Sequence, residues 1–205
     1  MTRRDRLALV LAGVVLAALV VSGIAPYDRL TWIMEVAPAV IALVLIAATH
    51  RRFGLTELVL VLIALHALIL ILGGAYSYAR VPLGFWLQDL FGFERNPYDR
   101  IGHLAQGFVP AMVARELLLR LKVLARTGRW LFFLVCCICL AISALYELIE
   151  WQAAVLMGQG ATEFLGTQGD PWDTQADMAL ALTGAILAQW LLGRWHDRQL
   201  AALSG

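Results

Sequence analysis

Two stretches constrain this chain more than anything else in it. Leu7 to Tyr27 carries no charged residue, and Leu58 to Ala79 carries none apart from the ionisable His66. Crossing the hydrocarbon of a bilayer takes about 20 apolar residues of helix, and both stretches reach that length. Composition agrees. The 205 residues are 61% hydrophobic and 15% charged, where soluble domains carry about 25% charged residues. Mean hydropathy is +0.76. So much apolar surface calls for lipid as the solvent.

Four further uncharged cores are shorter: Val36–Thr49, Ile101–Ala114, Trp130–Tyr146 and Met178–Gly193. Each reaches spanning length only by taking flanking polar residues along. The expectation is an all-α integral membrane protein: one domain over 1–205, a bundle of six transmembrane helices near 7–26, 31–49, 56–79, 101–120, 130–150 and 174–193. The run after Arg3-Arg4-Asp5-Arg6 is longer than the roughly 7–15 residues of a secretory signal core, so it reads as a retained first helix.

Loop charge gives the orientation, because Lys and Arg accumulate on the cytoplasmic side. With the N-terminus inside, the inner segments hold Arg3, Arg4, Arg6, Arg51, Arg52, Arg120, Lys122, Arg126, Arg129, Arg194 and Arg198. The outer ones hold only Arg29, Arg80, Arg95 and Arg100. Eleven against four, in phase at every loop, predicts both termini in the cytoplasm. Trp32, Trp86, Trp151 and Trp172 then fall near the outer interface, and Trp130 and Trp195 near the inner one, the depth that amphipathic rings favour. A net charge of +1 offers no field for nucleic acid. Cys136, Cys137 and Cys139 lie in one apolar run without a fourth ligand nearby, and read as packing residues.

The polar residues carried into the short spans share one depth. Counting about 20 residues from each cytoplasmic end puts Glu147 and Glu150, Asp173 and Asp177, Asp99 and His103, and Glu35 at the outer edge. Asp99/His103 and Asp173/Asp177 are spaced i,i+4 and Glu147/Glu150 i,i+3, so each pair shares a helix face. Gln106 extends the first stripe, and Gly107 and Gly184 offer close-packing surfaces. Ionisable groups in a membrane are costly and collect around a cavity, an ion or one another. His103, Glu147, Glu150, Asp173 and Asp177 therefore form a candidate site for a divalent metal of open identity, and with Asp99 a candidate catalytic group. Structural hydrogen bonding between helices is the competing reading. Arg100, Gln106, Gln168 and Asp170 are candidate contacts to a bound group, Arg100 to an anionic head group. The glycine-rich stretch 158–173 reads either as a re-entrant loop over the acids or as a plain turn. His66 reads as a lone histidine bonded to a neighbour, or else as a relay or ligand. Arg115 is expected to snorkel to the cytoplasmic surface.

Two runs carry a family resemblance. Asn96-Pro97-Tyr98-Asp99-Arg100-Ile101-Gly102-His103-Leu104-Ala105-Gln106-Gly107-Phe108 is one. The other is Glu147-x-x-Glu150-Trp151 followed by Phe164-Leu165-Gly166-Thr167-Gln168-Gly169-Asp170-Pro171-Trp172-Asp173-Thr174-Gln175-x-Asp177-Met178. Together they resemble a bacterial inner-membrane family of unknown function typified by YjdF. Asp99-Arg100-x-x-His103 and the late Asp177 are more weakly similar to VanZ-like membrane proteins, although Arg100 stands where those carry Lys. The resemblance implies a multi-pass inner-membrane location and brings no reaction with it. The functional expectation is a polar, metal-binding site near the periplasmic face, acting on a lipid or cell-envelope precursor. A small cation- or proton-coupled transporter and a non-catalytic envelope scaffold are the alternatives. Partners are the bilayer and that substrate; oligomeric state is left open.

Overall fold

The structure is a computed structural model and describes residues 1–124, 127–157 and 168–204. The described residues form α1 (Arg3–Ile24), α2 (Arg29–Thr49), α3 (Glu57–Tyr76), a short 3-10 turn at Tyr78–Arg80, α4 (Pro82–Phe91), α5 (Tyr98–Arg120), α6 (Arg129–Met157) and α7 (Asp173–Ser204). Arg126 and most of the glycine-rich 158–173 stretch, with Phe164-Leu165-Gly166, lie outside the described residues.

Local chemistry sets the helix starts. Thr2 and Asp5 form a reciprocal capping box at α1, and the Asp28 and Thr56 side chains accept from the amides of Thr31 and Val59 at α2 and α3. Pro82 opens α4, and Gly92 closes it in the left-handed conformation at φ 66°. α4 was not expected from the sequence. Only Gly84 of it is buried, while Leu83, Phe85, Trp86, Leu90 and Phe91 stay exposed, as in a helix lying in a membrane interface.

α1, α2, α3, α6 and α7 are long and apolar enough to cross a membrane. α5 is not among them, because Asp99, Arg100, His103, Gln106, Arg115, Glu116 and Arg120 all lie on it. Yet α5 is the central element. It packs most extensively on α7 and also against α6 and α3, while α1 and α2 pack on α3 at the side. Asp99, His103, Gln106, Arg115 and Glu116 of α5 are buried in protein, which is how a helix of that composition enters an apolar bundle.

The α5–α7 seam is backbone against backbone. A Cβ on Gly107 would collide with the carbonyl of Ala181, and one on Gly184 with the carbonyl of Leu104. The two glycines bring these helices as close as the chain allows, as the sequence suggested. Leu58, Val59, Ala111, Met112, Val135 and Cys139 build one apolar cluster around the seam; Val15, Val36, Ala39, Ala64, Ala67 and Ile71 build another among α1, α2 and α3. Cys139 packs as expected, whereas Cys137 is exposed.

Where α5 and α7 end, the structure corrects the sequence reading. Arg115 does not snorkel: it is buried, donates to Nδ1 of His196 at 2.9 Å and pairs with Asp197 at 2.6 Å. A guanidinium can only donate, so Nδ1 accepts and Nε2 carries the ring proton toward Glu116 at 3.1 Å. Glu116 is fully buried and also accepts from the Thr56 amide, the Thr56 hydroxyl at 2.7 Å and Arg120 at 2.7 Å. Every charge there has a partner, so α3, α5 and α7 are held together by a satisfied network.

Candidate metal centre

The acids gather at the opposite end, where α5 and α7 both begin. Two helix N-termini at one place lend partial positive charge to nearby carboxylates. Asp99, His103 and Asp177 are all buried, and one ligand atom from each lies within 4.8 Å of the others. His103 Nε2 stands 3.5 Å from Asp99 Oδ1 and 3.7 Å from Asp177 Oδ2. Two donors on one ion at bond lengths of about 2.0–2.2 Å sit no more than about 4.4 Å apart. Both separations fall inside that limit, so this group could hold a metal ion.

The other ring nitrogen faces different partners. Nδ1 lies 3.2 Å from Gln106 Oε1 and 3.8 Å from Glu147 Oε1. A metal-bound histidine ordinarily donates its second N–H to such an oxygen, which fixes the ring. His103 is thus disposed with two carboxylates at Nε2 and two oxygen-bearing side chains at Nδ1. Asp99 Oδ2, Glu147 Oε1 and Asp177 Oδ1 are buried without a hydrogen-bond partner. Buried oxygens are rarely left so, and three on carboxylates gathered around one histidine ask for a cation.

The remaining sequence candidates divide. Asp173 is buried and pairs with Arg95 at 2.6 Å. Asp170 lies 3.4 Å from Arg95 and 3.1 Å from Arg100, so the guanidinium expected to meet a head group is held by an acid of this chain. Gln168 makes a reciprocal clasp with the backbone of Asn96: the Asn96 amide donates to its Oε1 at 3.1 Å, and its Nε2 donates back at 3.0 Å. Asn96 itself is buried, donating to the Val81 carbonyl and accepting from the Tyr98 amide. Those contacts register the start of α7 on the start of α5. Glu150 is half-buried beside a cavity shared with Asp99 and His103.

Glu35 was placed at this depth by counting but left out of the candidate ligands. It is buried and accepts a hydrogen bond from the Tyr146 hydroxyl at 3.1 Å, across from α6 to α2. Arg95 and Tyr146 had no sequence signal beyond proximity to the motifs. His66, expected to bond a neighbour, instead has Nε2 buried and unpartnered, and it lines the same cavity.

Comparison with known proteins decides the family. The family described as "Predicted membrane protein (DUF2238)" matches residues 7–198. This chain belongs to that family. It is 57% identical over 182 residues to the inner membrane protein YjdF of Escherichia coli K12, covering 89% of this chain and 87% of that protein. The resemblance carried by the Asn96–Phe108 and Glu147–Met178 motifs is thereby borne out. No solved structure matches the chain.

Proposed function

We propose that this protein is a six-span inner-membrane protein with both termini in the cytoplasm, carrying a divalent cation just beneath the periplasmic surface. In this reading α5 is the sixth span, the acidic end faces the periplasm, and the basic loops face inward. Asp99, Asp177 and Nε2 of His103 bind the ion, while Gln106 and Glu147 orient the ring through Nδ1. Imidazole with carboxylates suits zinc, manganese or iron. Such an ion would polarise a phosphoryl or acyl oxygen or acidify a bound water, which fits chemistry on a lipid or envelope precursor entering from the membrane. Arg95 and Arg100 neutralise Asp173 and Asp170, leaving the negative charge concentrated on the proposed ligands.

One observation carries the metal reading: three buried carboxylate oxygens without partners, around a histidine whose two nitrogens face different sets of oxygens. A transporter would need polar groups continuing toward the cytoplasm. Glu116 and His196 at the far end are instead sealed and mutually satisfied, which favours chemistry at one face. The test is elemental analysis of protein purified without chelator, with circular dichroism to confirm folding. A stoichiometric divalent ion is expected in the wild type and its loss in Asp177→Asn. Absence of metal from the wild type, with no thermal shift on adding zinc, manganese or magnesium, would overturn the reading.

A further inference from the structure

The site opens onto a cavity of about 750 Å³, lined on the α5 side by Asp99, His103 and Gln106. α2 packs on α3 and more lightly on α1, but forms no comparable seam with α6. The gap between α2 and α6, backed by α3 and α5, is this cavity. Along α2 its wall runs from Glu35 to Thr49, about 21 Å at the 1.5 Å helical rise. That exceeds one leaflet, which is half of a hydrocarbon core of about 30 Å. Leu45, Ile46, Phe53, Leu117, Leu121 and Ile142 line its deeper part. The shape matches an extended hydrocarbon chain.

The carboxylates of the cavity are confined to one end, with His66 and Thr49 the polar side chains farther along it. Glu35, Asp99 and Glu150 line the mouth together with Tyr78 and Tyr146, and no Lys or Arg lines the cavity among the described residues. Asp99 is buried with Oδ2 unpartnered. Pro38 and Pro110, both on the wall, leave the carbonyls of Met34 and Gln106 without their helical amide donors. Glu147 and Asp177 are not on this wall. An ion held by Asp99, His103 and Asp177 leaves the carboxyl groups of Glu35 and Glu150 facing the groove as a second pair of acceptors. Acceptors abound there, and a phosphate alone would be repelled.

We infer that the groove between α2 and α6 binds a membrane lipid whose head group bears a primary ammonium, with the ammonium at Glu35 and Glu150 and an acyl chain along the cavity. The inference rests on the proposed function for what is done to the lipid, and on the groove alone for its binding. It names the substrate class as an amine-headed lipid.

The experiment reconstitutes the full chain in nanodiscs of equal phosphatidylethanolamine and phosphatidylglycerol with identical acyl chains. The protein is then extracted in mild detergent, and the retained lipid is counted by mass spectrometry. The wild type should retain the ethanolamine lipid by roughly tenfold over the glycerol lipid, the worth of a charged hydrogen bond. Ile142→Trp fills the groove at an exposed wall position, and should abolish retention of both. Glu35→Gln with Glu150→Gln should keep a retained lipid but lose the preference. Equal retention of both lipids by the wild type, or retention untouched by Ile142→Trp, overturns the inference. Metal is measured on the same samples. Preferential lipid without metal sinks only the metal reading, and metal without preferential lipid sinks only this one.

Discussion

Gly107→Ala is the sharpest probe of how the bundle builds its site. Gly107 lies one turn after His103, and the Ala181 carbonyl it meets lies one turn after Asp177. An added methyl falls far inside the 3.0 Å that real Cβ contacts respect, and its nearest neighbour is backbone. Backbone cannot rotate away, so α5 and α7 must part by roughly an ångström or more to restore contact distance. Overpacking costs about 1–3 kcal/mol, while replacing a helical glycine by alanine returns about 0.5–1 kcal/mol. The expected net loss is about 1 kcal/mol, within a range of about 0–2.5 kcal/mol. The same displacement widens the 3.7 Å gap between His103 and Asp177, so metal affinity should fall by about 10–100-fold, the range for disturbed support around a site. Unfolding by titration with SDS measures the first quantity, and competition with a fluorescent chelator the second. Gly193→Ala is the control: it is also on α7, but a Cβ there meets nothing within 4 Å. Equal behaviour of the two variants would refute the close seam, and an unstable Gly107→Ala with undiminished metal affinity would detach the seam from the site.

Three further outcomes are expected. Glu116→Ala strips Thr56, Arg120 and His196 of a shared acceptor and should cost about 3–5 kcal/mol, read as loss of folded protein by detergent size-exclusion chromatography. Asp28→Ala removes the α2 cap, worth about 1 kcal/mol. The Thr31 amide holds the Asp28 carboxyl below its ordinary 3.8, so the cap's contribution is complete above that value and fades as pH falls through the lower folded one. The thermal stability gap between wild type and variant should accordingly be constant near neutrality and shrink below about pH 4. A fluorescent protein fused after Gly205 should be bright and alkaline phosphatase there inactive; the reverse pattern would invert the proposed orientation.

Depth was legible in the sequence because it is a matter of counting. A basic anchor at one helix end and a fixed rise per residue put Asp99, His103, Glu147 and Asp177 in one layer, and the structure brings their side chains together. Rotation and pairing were not legible in that way. Asp173 resembles a ligand until Arg95, 78 positions away, is seen to neutralise it. Glu35 lay at the right depth, but only the packing of α2 on α3 turns it toward Tyr146 and the groove. Arg115 illustrates the same limit at the other end. A long cation near a helix terminus reads as snorkelling until a histidine and an aspartate 81 and 82 residues later are found beside it. α4 was missed because its ten residues are too short to span and its apolar side chains look like loop hydrophobics.

The polarity of α5 bears on how the protein is made. Acids and bases oppose release from the translocon into lipid, by about 2.5–3.5 kcal/mol each at a helix centre and by less toward its ends, and α5 carries Asp99, Arg100, Arg115, Glu116 and Arg120 toward its two ends. Alone it has no stable residence among acyl chains. Its lasting partner, α7, is synthesised more than fifty residues later. In the proposed six-span arrangement α5 therefore gains its most extensive packing partner only once α7 has been made.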